Sequence, residues 1–170
     1  MKKALYCVAT AIAACAGVAQ AEAPHIKTAA PVIHLADNLD EKDNLWWCID
    51  TLGRGFGERL QAHSCKPNGG DVQFELDAGM IRSVAFPEYC MALAPNDDTT
   101  FALVSCDAMQ SSQQFSYEPQ TGNITLAADD AQCVAVGGES RSAGPYMSRV
   151  LTLADCAEAQ VELVQWVVVP

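Results

Sequence analysis

This chain of 170 residues carries 21 acidic and 10 basic residues, which gives a formal net charge of −11 at pH 7. Such a surface repels phosphate backbones, so nucleic acid is not an expected partner. The length suits one domain, and no apolar run in the sequence is long enough to span a membrane as a helix.

The N-terminal segment has the features of an export signal. A basic start precedes an apolar run over residues 4–18, and a small-x-small cleavage motif ends at Ala21. We therefore predict that residues 1–21 are a signal peptide and that residues 22–30 form an N-terminal extension. An alternative is a lipobox that ends at Cys15, which would make the protein a lipoprotein anchored at that residue. Both alternatives predict an exported protein, either periplasmic or secreted.

The cysteines beyond this signal are even in number, which in an exported chain predicts disulfide bonds. No two of them form a CxxC pair, and this argues against a zinc ribbon and against thioredoxin-like redox chemistry. They are Cys48, Cys65, Cys90, Cys106, Cys133 and Cys156.

Four short apolar segments follow one another along the chain, and the set occurs three times. An opening strand comes first, then a strand with a cysteine near its start, then an alternating strand that ends in a cysteine, and last a Gln-aromatic pair. This pattern predicts about twelve strands and an all-β domain. In chain order, the opening strands cover residues 32–35, 80–83 and 123–126; the second strands 47–50, 89–92 and 132–135; the third 60–65, 101–106 and 151–156; and the Gln-aromatic pairs 73–74, 114–115 and 165–166.

The third copy is longer than the others because of an insertion rich in glycine, serine and proline. Its composition over residues 137–148 predicts a surface loop. The charged stretch at residues 40–44 likewise predicts a solvated loop. The repeat also suggests the disulfide pairing, since one bond inside each copy preserves the threefold symmetry. The expected bonds are Cys48–Cys65, Cys90–Cys106 and Cys133–Cys156, each contributing roughly 3 kcal/mol by the chain-entropy argument.

The order Cys-Ile-Asp, Leu-x-Ala-x-x-Cys and Gln-aromatic resembles the ricin B-type lectin repeat. Three such repeats form a β-trefoil in that family, so the resemblance implies a β-trefoil of three pseudo-repeats, each with one internal disulfide. The domain would cover residues 31–170, with repeats at about 31–77, 78–120 and 121–169. The family's closing motif is Gln-x-Trp, from which this chain departs in every copy. The resemblance implies that the large rings of this motif pack in the core: Phe74, Phe115 and Trp166.

The resemblance also implies carbohydrate binding, with at most one intact pocket, in the first repeat. In the family a carboxylate two positions after the first cysteine accepts hydrogen bonds from sugar hydroxyls, and Asp50 occupies that position here. Gln61 and Asp71 stand at the family's two amide positions, the second being a departure. Repeats two and three have Ala92 and Ala135 at the carboxylate position, and alanine cannot accept a hydroxyl. The alternative for Asp50 is a turn or strand-end residue bonded to nearby backbone.

The family's stacking ring lies two positions before the second cysteine, where this chain has His63. That histidine is smaller and more polar than the usual ring, and its alternative is a solvent-exposed strand residue. Phe56, in a glycine-rich loop, is a second candidate for the stacking ring. His63 and Ser64 are adjacent in a strand and point to opposite faces, while Cys65 is expected to be oxidised, so the sequence does not predict a catalytic site.

We therefore expect an exported lectin-like module that is not an enzyme, whose partner is a glycan or glycoconjugate. We expect neither a cofactor nor a metal site, because the His and Asp residues lack a ligand-spacing signature. The alternative is a protein-interaction β-trefoil without sugar binding, since the resemblance extends to toxin subunits that dock on a partner chain.

Overall fold

The computed structural model describes residues 26–52 and 56–170. The expected signal peptide, its cleavage site and the alternative lipid attachment at Cys15 therefore lie outside the described residues. Within the described ranges, no helix is long and apolar enough to cross a membrane.

The described residues form fourteen β-strands and three short 3-10 helices. The opening strand of each repeat has the predicted bounds, and the all-β fold class is confirmed. The strands are β1 (Val32–Leu35), β2 (Trp47–Thr51), β3 (Leu60–Ser64), β4 (Phe74–Asp77), β5 (Met80–Ser83), β6 (Tyr89–Ala94), β7 (Asp97–Ser105), β8 (Phe115–Glu118), β9 (Asn123–Leu126), β10 (Asp129–Val136), β11 (Arg141–Ala143), β12 (Tyr146–Arg149), β13 (Leu151–Asp155) and β14 (Trp166–Val169). The 3-10 helices are Gly70–Val72, Ser111–Gln113 and Val161–Leu163. The first two directly precede a Gln-aromatic pair, and one residue separates the third from its pair.

The three repeats share one antiparallel pairing scheme. In the first repeat β1 pairs with β2 and β2 with β3, and the same order recurs as β5–β6–β7 and β9–β10–β13. The fourth strand of each repeat pairs with the opening strand of the next: β4 with β5, β8 with β9, and β14 with β1. The β1–β14 pair, in which Val32 faces Val169, joins the two ends of the domain. This closed threefold arrangement is a β-trefoil.

One apolar core lies on the axis of the three repeats and contains the rings that the closing motif predicts. Phe74, Phe115 and Trp166 are 0%, 3% and 1% exposed, which confirms them as core residues. The indole Nε1 of Trp166 donates to the carbonyl of Val134 at 2.8 Å, so its one polar group is satisfied. Burying each such side chain contributes about 1.5–3 kcal/mol, and the core therefore fixes the relative positions of the repeats.

Each repeat contains the expected disulfide bond. Every bond joins the second strand of a repeat to the end of its third strand: Cys48–Cys65, Cys90–Cys106 and Cys133–Cys156. In the first repeat both half-cystines are fully buried and pack against Val32 and Val72. The bond therefore holds together the strands that carry the residues of the expected sugar site.

The insertion in the third repeat, which was predicted as a surface loop, contains a β-hairpin. Strands β11 and β12 pair with each other, and β12 adds to the outer edge of β3, with Ser148 opposite His63. The turn contains Gly144 at a φ of +67°, a conformation that glycine adopts without strain. Composition indicated the turn but gave no signal for the strand pairing, because the partner edge belongs to a different repeat.

Buried polar contacts attach this hairpin to the body of the domain. The backbone N–H of Met147 donates to Ser64 Oγ at 3.0 Å, and Ser64 Oγ in turn donates to Glu41 at 2.8 Å. Glu41 also accepts the backbone N–H of Leu45 at 2.6 Å and is only 3% exposed. The charged stretch at residues 40–44 is therefore not fully solvated as predicted, because one of its carboxylates is a buried acceptor.

Candidate functional site

A cavity of about 680 Å³ lies between the first repeat and the inserted hairpin. One wall comes from β3 and the loop after it, and the other comes from β11, β12 and their turn. Its size falls within the range of about 300–1,000 Å³ that is typical of small-molecule sites. Only this arrangement of two repeats creates the cavity, since neither wall alone encloses it.

Three of the five expected sugar-binding residues line this cavity. Gln61 and His63 lie on β3, and Asp71 lies on the 3-10 helix that follows it. Asp50 is opposite Gln61 in the β2–β3 register, and the Gln61 Nε2 donates to its carboxylate at 3.3 Å. Asp50 is 0% exposed, however, and it lies beneath the cavity rather than in its lining.

Phe56, the other expected residue, lies elsewhere. The residue is 44% exposed, and its ring packs edge-on against Phe86 and Tyr89 of the second repeat, with centroid distances of 5.3 and 4.7 Å. It does not line the cavity beside His63. These three rings form a surface aromatic cluster, which we call the Phe56 cluster.

Lys66 was not singled out from the sequence, and it stands at the centre of the site. Its Nζ lies 3.1 Å from Asp50 Oδ1 and 2.7 Å from Asp71 Oδ2, so one ammonium joins two carboxylates. The Lys66 side chain is 14% exposed and that of Asp71 17%. Lys66 immediately follows the second cysteine of the repeat, and this position was the one signal available in the sequence. The carboxylate of Asp50 is therefore occupied from within the protein.

Burial is the largest cause of the pKa shifts of Asp50 and His63. Burial raises the pKa of Asp50 to about 7, although the nearby Lys66 ammonium favours the charged form. Burial also lowers the pKa of His63, which is therefore neutral at pH 7. The His63 Nδ1 donates to the Ser64 carbonyl at 3.0 Å, so Nε2 is the ring's acceptor. No hydrogen bond to Nε2 occurs among the residues that the structure describes.

The loop before Asp71 leaves no room for a side chain at Gly69. A Cβ there would lie 2.8 Å from Asp71 Oδ1 and 2.9 Å from Lys66 Cβ. The backbone of the loop thus packs directly against the ion pair. Asp71 Oδ1 accepts no hydrogen bond from any residue in the described ranges, so it remains available to a ligand.

The hairpin supplies an aromatic ring that the sequence analysis missed. Tyr146 lines the cavity, and its ring centroid lies 5.6 Å from that of His63 at an interplanar angle of 65°. Arg141 lines the same wall, and its Nε donates to Ser148 Oγ at 3.0 Å. Tyr146 is the one aromatic residue of the insertion, but nothing in the sequence indicated that the insertion would fold over the first repeat.

The second repeat has a different surface at the corresponding position. A hollow of about 530 Å³ there is lined by Ala92 and Val104 at the positions equivalent to Asp50 and His63. Across the described parts of the chain, no cluster of His, Cys, Asp and Glu could hold a metal ion. The carboxylate-containing cavity beside the hairpin is therefore the candidate functional site.

Solved structures with the same fold include two lectins and a bacterial toxin. The Vibrio vulnificus hemolysin/cytolysin β-trefoil lectin with bound N-acetyl-D-lactosamine is 16% identical, with a TM-score of 0.58 over 81% of this chain and 90% of that chain. The C-half of the earthworm R-type lectin in complex with GalNAc is 10% identical, with a TM-score of 0.59 over 82% and 98%. The cytolethal distending toxin from Actinobacillus actinomycetemcomitans is 16% identical, with a TM-score of 0.56 over 82% and 91%.

Sequence comparison gives the family directly. No protein in a curated set matches this chain. A model of the ricin-type β-trefoil lectin domain does match, over residues 40–166, which include all three disulfides and both walls of the cavity. Together with the closed threefold strand pairing, this match confirms the resemblance, and the chain belongs to the ricin-type β-trefoil lectin domain family.

Proposed function

We propose that this protein is an exported carbohydrate-binding module and that it binds sugar in the cavity between the first repeat and the hairpin. The observation that carries the proposal is the meeting of an aromatic ring and available acceptors in one cavity. Tyr146 provides the ring, while Asp71 Oδ1 and His63 Nε2 are acceptors without protein donors in the described structure. Sugars present apolar faces beside several hydroxyl donors, and this combination suits them.

The proposal differs in two respects from what the sequence implied. Tyr146 replaces both expected candidates for the stacking ring, because Phe56 belongs to the Phe56 cluster outside the cavity and His63 offers an acceptor at Nε2. Asp71 replaces Asp50 as the carboxylate that the sugar meets, because Asp50 is fully buried. A hydrogen bond to a charged acceptor contributes about 1.5–3 kcal/mol, so Asp71 would provide much of the affinity of a small ligand.

Glycan-array screening followed by calorimetric titration tests the proposal. N-acetyl-D-lactosamine and GalNAc are the first probes, since they are bound in two proteins of the same fold. We expect binding to the wild type and its loss in Tyr146→Ala, with partial retention in Tyr146→Phe. Phe56→Ala is the matched control, because it removes an aromatic ring outside the cavity. Equal loss in both alanine variants, or no glycan binding by the wild type at millimolar sugar, would reject the proposal.

Export is the second part of the proposal. The three disulfide bonds support export, because disulfides form and persist in oxidising compartments outside the cytoplasm. The basic start and the apolar run of the N-terminal segment also support it. Mass spectrometry of the native protein distinguishes the two forms of this proposal. A start at Glu22 indicates a processed periplasmic or secreted protein, while an acylated Cys15 indicates a lipoprotein. A cytoplasmic protein that retains Met1 would contradict export.

A protein partner is the second candidate function, and the Phe56 cluster is the observation that favours it. An exposed Phe56 with half-buried Phe86 and Tyr89 resembles the aromatic anchors of protein interfaces. A relative of the same fold is a cytolethal distending toxin. Crosslinking in the native organism tests this alternative. Loss of a specific crosslinked partner in Phe56→Ser but not in Tyr146→Ala would support it.

A further inference from the structure

We infer that Asp50 does not contact the ligand in this protein but positions Lys66 and, through Lys66, the carboxylate of Asp71. Asp50 and Lys66 are then positioning residues, and Asp71 is the residue that meets the sugar. This inference rests on the proposed function, because it assigns a role within the same cavity.

The surroundings of Asp50 leave no face of its carboxylate open. The residue is 0% exposed, and its oxygens receive hydrogen bonds from Gln61 Nε2 at 3.3 Å and from Lys66 Nζ at 3.1 and 3.3 Å. His63 Nδ1 lies 3.9 Å away and donates to Ser64 instead. A sugar hydroxyl would reach Asp50 only after Lys66 had left a site where it is held by two carboxylates.

The same contacts fix Asp71 in one orientation. Lys66 Nζ holds Oδ2 at 2.7 Å, and the backbone of Gly69 packs beside Oδ1. The backbone of Lys66 is itself held, because Thr28 Oγ1 donates to its carbonyl at 3.0 Å. Asp71 Oδ1 is therefore placed at the cavity surface by a connected series of contacts that begins at buried Asp50.

Sharing one ammonium between two carboxylates matters for the strength of the acceptor. While Asp50 is ionised, the pair Asp50 and Asp71 carries one negative charge more than Lys66 neutralises. Once Asp50 is protonated, Lys66 pairs with Asp71 alone, and Asp71 becomes a weaker acceptor for hydroxyl donors. Burial raises the pKa of Asp50 to about 7, so the change falls near neutral pH. The titratable and charged groups that face this cluster are Lys66, Asp71 and His63 from the first repeat, Glu41 through its contact with Ser64, and Arg141 and Tyr146 from the hairpin.

Asp50→Asn tests the inference, because asparagine keeps the shape of the side chain without its charge. Sugar affinity is measured from about pH 5.5 to about pH 8.5, a window that contains the titration of Asp50. We expect the wild type to lose about tenfold in affinity towards the acidic end, as one charge-assisted contact weakens. Asp50→Asn should bind weakly throughout and show no such pH dependence. Asp77→Asn, which removes an exposed carboxylate outside the cavity, should keep the wild-type affinity and profile.

If Asp50→Asn binds sugar with the affinity and the pH dependence of the wild type, the inference is overturned. A readout without sugar separates it from the proposed function: the carboxyl ¹³C resonances of Asp50 and Asp71 are followed against pH. The Asp71 resonance should respond to the titration of Asp50, and the response should change in Lys66→Met, which removes the ammonium that joins the two carboxylates. If the chemical shift of the Asp71 carboxyl does not change as Asp50 titrates, the positioning role is contradicted whether or not sugar binds. A coupled titration in a protein that binds no glycan would instead reject the proposed function alone.

Discussion

The buried carboxylate of Asp50 predicts that this protein loses stability as the pH rises through the range from about 4 to about 7. The pKa of this group increases from its ordinary value of 3.8 to about 7 in the folded state, chiefly through burial. Between these two values the unfolded chain releases the proton while the folded protein keeps it, so ionisation favours unfolding. Below the lower value both states hold the proton, and above the upper value both have lost it. Stability is therefore highest, as far as Asp50 is concerned, at the acidic end.

The size of this loss of stability follows from the change in the pKa of Asp50 between the unfolded and folded states. Each pKa unit corresponds to about 1.4 kcal/mol, so a shift of roughly three units amounts to a loss on the order of 4 kcal/mol across the window. That is a large part of the 5–15 kcal/mol that typically separates folded from unfolded domains. Asp50→Asn cannot titrate and should lack this loss. The variant should accordingly gain stability relative to the wild type as the pH rises.

Urea denaturation with the disulfides intact, repeated at intervals between about pH 4 and about pH 8, measures the effect. The quantity of interest is the difference in unfolding free energy between Asp50→Asn and the wild type. All other titrating groups are common to both proteins, including Asp40 and Asp97, whose pKa values are lowered in the folded state. A difference that stays constant across the pH range would show that Asp50 titrates normally, and the reasoning about its burial would be refuted.

Three further predictions concern the disulfides, the loop at Gly69 and the anchor of the hairpin. Reducing the three bonds without denaturant should lower the melting temperature markedly, since each contributes roughly 3 kcal/mol; an unchanged melt in strong reductant would contradict this. Gly69→Ala should cost about 1–3 kcal/mol and weaken sugar binding, because its Cβ meets Lys66 and Asp71 below 3.0 Å, whereas Gly138→Ala, with open space around it, should leave both unchanged. Arg149→Met should speed amide exchange most in the hairpin, because it removes the bond from Nη1 to the Gly137 carbonyl at 2.6 Å and the ion pair with Asp40; an equal increase in exchange rate throughout the domain would argue against a local anchor.

The repeat was sufficient to predict an all-β domain, and its resemblance to the ricin B-type lectin repeat implied the β-trefoil. Cysteines at matching positions, alternating strands and Gln-aromatic pairs occur three times in one order, and each of these signals is local in sequence. The disulfide pairing followed from symmetry, because bonds within each copy preserve the repeat. The resemblance to the family implied that the rings of Phe74, Phe115 and Trp166 pack in the core, and all three are buried.

The candidate site was only partly predictable. Gln61, His63 and Asp71 were identified because they occupy the site positions that the family resemblance implies, and the structure brings them to one cavity. The roles of Lys66 and Tyr146 were not foreseen. The position of Lys66 directly after a cysteine was the one signal for it in the sequence, and its importance depends on two carboxylates that reach it from β2 and from the 3-10 helix Gly70–Val72.

The amino-acid sequence by itself determined an all-β domain built from three copies of one unit, with one disulfide bond in each copy. Those features follow from period, spacing and composition, which act over a few residues, whereas the β-trefoil and the candidate site residues of the first repeat were implied by the resemblance to a known family. Only the tertiary structure decided that the insertion of the third repeat forms a hairpin against β3 and that Lys66 covers Asp50. Contacts between segments far apart in sequence produce both features, and their energies depend on burial and distance, neither of which a local pattern specifies.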